Sequence, residues 1–140
     1  LTGWGGLTRQ APPPNVFFVD NVPHAWLFPR LAAVVHHGGA GTTGAGLRAG
    51  VPNIITPAAP SDQLAWAERV VTLGVGPRVS GLKALTPEKL ASAINVAVND
   101  SSLRARAAAL GEKIRAENGV ARAVEIIERH AAEFKRKASA

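Results

Sequence analysis

The residues best suited to chemistry in this chain form one short run, His36-His37-Gly38-Gly39-Ala40-Gly41-Thr42-Thr43. An apolar stretch precedes it and a helix-forming stretch follows. The run is therefore predicted to turn a strand into a helix. Such a turn leaves free backbone N–H groups and the positive end of a helix dipole at the sheet's C-terminal edge, where an anion binds well. The glycines let a phosphate come close to the backbone, Thr42 and Thr43 add hydroxyl donors, and His37 can donate to a phosphate oxygen. The competing account of the same residues is a tight strand-to-helix turn with two buried histidines. No Gly-Lys-Ser/Thr follows, so this is not the Walker pattern.

A second set follows downstream: Gly50-Val51-Pro52, then Pro57, then Asp62-Gln63. In an open α/β sheet, ligands bind at the C-terminal strand edge, near the switch in strand order. An Asp–Gln pair at a helix N-terminus suits vicinal sugar hydroxyls, because the carboxylate accepts while the amide both accepts and donates. Helix capping by Asp62, with Gln63 solvated, is the plainer alternative. Trp4, Trp26 and Trp66 are expected to be packing residues, with Trp4, inside a glycine turn, the best placed of them to meet a ligand. His24 either caps a short helix or contacts the ligand, His36 faces the sheet interior, and His130 is solvated. Four dispersed histidines without acidic neighbours, in a chain with no cysteine, do not make a metal site.

The elements that must position these residues can be traced in order. Leu1-Thr2 reads as the tail of a strand, Ala11–Asn15 as a proline-stiffened loop and Val16–Val19 as a short buried strand. Asn21-Val22-Pro23 is turn chemistry, followed by a short helix over His24–Arg30. Strands are predicted at Ala33–His36, Asn53–Thr56 and Gly76–Val79, with helices from about Thr42 to Ala49 and from Ser61 or Asp62 to about Leu73. Alternating strands and helices indicate a parallel α/β sheet. Beyond residue 80 the pattern is helical. Thr86-Pro87 starts one helix, with an apolar stripe of Leu90, Ala93, Ile94, Ala97 and Val98, and two more cover Ser101–Glu117 and about Val120–Lys137.

At 140 residues the chain fits a single domain, with a Rossmann-like part over about 1–80 and helices over about 86–137. Its longest apolar runs fall well short of a membrane span, and no signal peptide is visible, which fits a cytoplasmic protein. The net charge of +6 could suit nucleic acid, but the basic residues are scattered and aromatics make up only 5%, so no stacking platform exists. A small anionic ligand accounts for part of the same charge.

Taken together, these residues resemble the nucleotide-sugar signature of the family 1 glycosyltransferases. The signature runs through Asn21-Val22-Pro23-His24, His37–Thr42, Gly50-Val51-Pro52, Pro57 and Asp62-Gln63. The sterol glucosyltransferase and bacterial antibiotic glycosyltransferase branch is the nearest. Val22–Phe28, His36–Thr43, Trp66–Val70 and Leu73–Pro77 are similar to its sterol members. The resemblance implies the C-terminal domain of a GT-B fold, a UDP or TDP sugar such as UDP-glucose as donor, and metal-independent, inverting transfer to a hydroxyl of a lipophilic acceptor. By that resemblance His37 and the amides of Gly39, Ala40, Gly41 and Thr42 hold the diphosphate and His37 stabilises the leaving phosphate. Asp62 and Gln63 read the sugar, and Asn21 and Val22 meet the base through their backbone. The general base and the acceptor site belong to an N-terminal domain outside this chain, and the full-length protein could sit peripherally on a membrane. Two positions depart from the plant members: Asn21 stands where they carry a Trp, and Ala45 where they carry a ribose-binding Glu. The other open accounts are a non-catalytic Rossmann-like module for another phosphorylated ligand and a GT-B nucleotide-sugar epimerase.

The doubly wound order 3-2-1-4-5-6 carries a further expectation. Val16–Val19 would be strand three and Ala33–His36 strand four, with strand one, which the family resemblance places upstream of Gly3, and most of strand two expected to be missing from between them. The sheet would then have an edge open to association.

Overall fold

The computed structural model describes residues 13–19, 21–59 and 61–138 of the 140. Among them are two strands, β1 (Val34–His36) and β2 (Asn53–Ile55), paired in parallel with Val34 opposite Asn53 and His36 opposite Ile55. Six helices surround them: α1 (His24–Leu27), α2 (Ala40–Ala49), α3 (Asp62–Thr72), α4 (Pro87–Asn99), α5 (Ser101–Ala116) and α6 (Gly119–Ala138). Single 3-10 turns lie at Phe28–Arg30 and Leu82–Ala84.

Every residue of β2 is buried, as a strand covered on both faces must be. Ile54 points to one face and packs with Ala93 and Ala97 of α4. Ile55 points to the other, among Leu47 of α2, Val70 of α3, Val75 and Ala107 of α5. A third group of Phe28, Val34 and Val51, flanked by Ala45 and Ala49, fastens α1 and its 3-10 turn to α2.

The helix boundaries follow from local chemistry. The Ser61 hydroxyl accepts from the Gln63 amide, Thr86 from Lys89, and Asp100 from Ser102 and Leu103, each satisfying amides that a first turn leaves open. The Leu103 amide and the Ser102 hydroxyl hold the Asp100 carboxyl below its ordinary range. At the other ends, arginines meet carbonyls. Arg115 donates to Arg48 O at 2.6 Å and Arg106 to Gly74 O at 2.8 Å. Part of the surplus positive charge thus closes helix C-termini.

Several sequence expectations change. Val16–Val19 forms no strand, and Phe17 is 84% exposed, so the segment is not a buried strand. Gly76–Val79 is not a strand either. Pro77 has no N–H for a ladder; Val79 packs beside Ile54, and just upstream of the segment Val75 O accepts from Asn53 N–H at 3.1 Å. Among the described residues the expected multi-stranded sheet is a pair, in which the predicted strands at Ala33–His36 and Asn53–Thr56 are adjacent and parallel. Trp26 is not a core residue: it is 55% exposed, with the Arg30 guanidinium 4.4 Å above its ring. Trp66 does pack, half-buried, against the Leu47–Ile55 group. On α4 the apolar stripe is only partly used, since Ile94 is exposed. α6 is longer than expected by a residue at each end and has no buried residue. Leu1–Thr2, the Trp4 turn, the first residues of the proline loop and Asp20 lie outside the described residues.

Candidate functional site

Because β1 and β2 are parallel, their C-terminal ends share one edge, and α2 and α3 both start there. α2 begins at Ala40, two residues earlier than its sequence suggests, with Gly39 as an N-cap that has no side chain. Its first ladder bond is Thr43 N–H to Gly39 O, 2.9 Å. Ala40, Gly41 and Thr42 therefore form the first turn, where amides have no i−4 carbonyl to meet. The expected phosphate loop is a helix N-terminus, which concentrates N–H groups and dipole on one spot.

The histidines divide their work. His37 is exposed, and its ring folds back over the turn. A Cβ placed on Gly39 would come within 2.7 Å of His37 Nε2. The imidazole thus stands beside the N-terminus of α2. His36 is partly buried, as expected. Its Nε2 lies 3.0 Å from Asn53 Oδ1, and its Nδ1 accepts from the Gly38 amide at 3.1 Å. Burial lowers the His36 pKa from its ordinary value, outweighing the bond to Asn53. The competing account, a turn with two buried histidines, does not hold, because His37 is exposed.

Gly38 joins the two halves of the edge. Its φ is +97°, and a Cβ there would lie 2.6 Å from Ile55 Cγ2 and 3.1 Å from Gln63 O. The turn after β1 therefore rests directly on the start of α3, bringing His37–Thr42 beside Asp62 and Gln63. At α3 the cap is Ser61, which leaves the Asp62 carboxylate exposed in the first turn. Gln63 is not merely solvated. Its Oε1 accepts from Ala58 N at 2.8 Å and Ala59 N at 3.2 Å, so its carbonyl holds the preceding loop and its NH2 is the end left to donate.

Two assignments need revision. Thr43 is fully buried and its hydroxyl donates to Gly39 O at 3.0 Å, so it shapes the turn and offers no donor to a ligand. Thr42, half-buried, keeps that potential. His24 does not cap α1. It stacks on Phe28 with ring centroids 4.4 Å apart. Asn21 is exposed and Val22 half-buried, in the turn leading into α1, which packs against α2. Ala45 lies on the apolar side of α2 against the Phe28 group.

Two features escape sequence reasoning. Asn53 is fully buried between β1 and α2. Its signal was a polar residue at the start of an apolar strand. The 3-10 turn Leu82–Ala84 docks on the loop before α3 through Leu82 N–H to Pro57 O, 2.8 Å. With Pro57, Ala58 and Leu64 it lines an open apolar groove of about 250 Å³ beside Gln63's loop. Nothing local in the sequence announces that contact. Among the described residues, no three of His, Asp and Glu gather where a metal ion could be held, and no helix is long and apolar enough to cross a membrane.

Residues 6–129 match the model of the erythromycin biosynthesis protein CIII-like C-terminal domain. The chain belongs to this family. A sterol 3-beta-glucosyltransferase of Cryptococcus neoformans is 52% identical over 117 residues, covering 84% of this chain and 7% of the relative. One from Arabidopsis thaliana is 46% identical over 129 residues, 91% of this chain and 20% of the relative. Among solved structures, the glycotransferase of kitacinnamycin superposes with a TM-score of 0.79 at 34% identity, covering 89% of this chain and 32% of that one. The glycosyltransferase VinC, in complex with DTDP, superposes at 0.71 with 35% identity over 84% of this chain and 30% of that one. The CIII-like chain thus has the fold of a GT-B C-terminal domain, and it spans a fifth or less of the length of these two curated relatives.

Proposed function

We propose that this domain binds a nucleoside-diphosphate sugar at the edge where α2 and α3 begin, and that within its longer protein it serves glycosyl transfer to a lipophilic acceptor such as a sterol. The observation that carries the proposal is the packing of Gly38 against Gln63. It sets a phosphate-suited helix start and a sugar-suited Asp–Gln pair side by side. A relative held with DTDP and relatives named as sterol glucosyltransferases support the same ligand class. The nucleoside is uridine or thymidine.

In an inverting transfer the acceptor oxygen attacks the anomeric carbon as the diphosphate leaves, so negative charge grows on the departing phosphate. The amides of Gly39, Ala40, Gly41 and Thr42, with His37 beside them, are fixed donors for that charge, and they stabilise the transition state more than the ground state. Here the diphosphate is neutralised by dipoles and His37 rather than by a metal ion. Asp62 and the Gln63 NH2 engage sugar hydroxyls. The base that removes the acceptor proton comes from outside this chain.

Calorimetric titration of the 140-residue chain with UDP and TDP tests this reading. Saturable binding that EDTA leaves unchanged, and that His37→Ala weakens about 10- to 150-fold, is the expected result, since one lost hydrogen bond to a charged group is worth about 1.5–3 kcal/mol. No heat with either nucleotide would refute it.

A further inference from the structure

The hydrogen-bonding roles around His36 are fully determined, and their direction matters. The Asn53 Nδ2 donates to Val51 O at 2.8 Å, which turns its Oδ1 toward His36. That oxygen can only accept, so His36 Nε2 carries the proton. The Gly38 amide can only donate, so His36 Nδ1 carries none. A single chain of donors therefore runs from Gly38 N–H through the imidazole and the Asn53 amide to Val51 O. The neutral Nε2–H tautomer is the one form that completes it. Asn53 is fully buried, and there is room for it because residue 46 of α2 has no side chain. A Cβ on Gly46 would lie 2.2 Å from Asn53 Oδ1.

We propose that His36 is a positioning residue: its neutral imidazole, oriented by Asn53 and Gly46, clips the Gly38 amide and so holds the following turn in its ligand-ready shape. His36 itself touches no ligand. It withdraws Gly38 N–H from the set of phosphate donors and sets Gly38 against Ile55 and Gln63, aiming the amides of Gly39 to Thr42 at the anion. Protonation of Nδ1 would place two donors face to face and open the clip. The charges that bear on His36 are His37 in the chain and His24 from α1, and both disfavour its cationic form. β2 and α2 present the neutral Asn53 and Gly46 to it.

This inference rests on the nucleotide-binding reading, but it can be judged apart from it. In the ligand-free 140-residue chain, the Gly38 amide resonance is followed by NMR from pH 8 to pH 5 in wild type, His36→Asn, His36→Gln and Gly46→Ala. Asparagine keeps an acceptor near the Nδ1 position, whereas glutamine reaches toward Asn53 instead. The wild-type Gly38 resonance should move with the protonation of His36. In His36→Asn it should stay near its high-pH position throughout, and in His36→Gln and Gly46→Ala it should be displaced already at pH 8. In UDP or TDP titrations at pH 8, His36→Asn should bind within about threefold of wild type and His36→Gln about tenfold more weakly, the loss of roughly one hydrogen bond. From pH 8 to pH 5.5 wild type should lose more affinity than His36→Asn, a comparison in which the nucleotide's own ionisation cancels. Thermal melts establish that each variant is folded. A Gly38 resonance indifferent to His36 and Gly46, or a folded His36→Gln that binds as wild type, overturns the clip. Failure of the wild-type chain to bind nucleotide would overturn only the functional reading, and the Gly38 resonance would still decide the clip.

Discussion

Replacing Gly38 by alanine puts the join between the two halves of the site under direct strain. At φ +97° a side chain is disfavoured whatever the space around it, and such backbone strain costs about 1–3 kcal/mol. The added methyl would also meet Ile55 Cγ2 at 2.6 Å and Gln63 O at 3.1 Å. Ile55 is itself 3% exposed, and the Gln63 carbonyl belongs to the first turn of α3, so neither moves freely. Overpacking of this kind adds about 1–3 kcal/mol. The two together amount to about 2–6 kcal/mol, a large share of the roughly 5–15 kcal/mol that holds a domain folded. Gly41→Ala is the control. A Cβ there meets nothing within 4 Å, and alanine suits the first turn of α2 better than glycine. Urea unfolding followed by tryptophan fluorescence should therefore show Gly38→Ala strongly destabilised and Gly41→Ala at least as stable as wild type. A Gly38→Ala variant within about 0.5 kcal/mol of wild type, the range of an ordinary surface change, would refute the packing of the turn on α3.

Two further outcomes follow from the fold. Ile54→Ala, at a side chain with no exposed surface between β2 and α4, should lower the unfolding free energy by about 2–5 kcal/mol in the same urea assay. Asp100 titrates below its ordinary value of 3.8 in the folded chain. Its stabilisation is thus complete above that pH and is lost as the pH falls below it, so Asp100→Asn, which keeps an N-cap oxygen, should flatten the acid limb of the melting temperature against pH.

Much of this architecture is written locally, and the exceptions share a cause. Ser61, Thr86-Pro87 and Gly50 mark helix ends through chemistry within a few residues, and those boundaries can be read directly. β1 and β2 are apolar runs between breakers, so they too are legible. The start of α2 is hard to place from sequence because Gly39 offers no side-chain cap and Gly41 has weak helix preference, which packing on β1 and α5 overrides. Gly76–Val79 has a strand's composition, yet Pro77 denies it the ladder. The roles of Thr43, Asn53 and Gln63's carbonyl depend on partners fixed only when the chain is folded, as does the docking of Leu82–Ala84. Residue types at the site were therefore visible in sequence, while the division of labour among them was not.

The central claim, that a nucleoside diphosphate binds where α2 and α3 begin, is tested most directly by amide chemical-shift mapping of the 140-residue chain during titration with UDP or TDP. The account predicts saturable shifts centred on Gly39, Ala40, Gly41 and Thr42, with Asp62 and Gln63 joining them when the nucleotide carries its sugar. Shifts centred on α5 or α6, with the start of α2 unmoved, would contradict it.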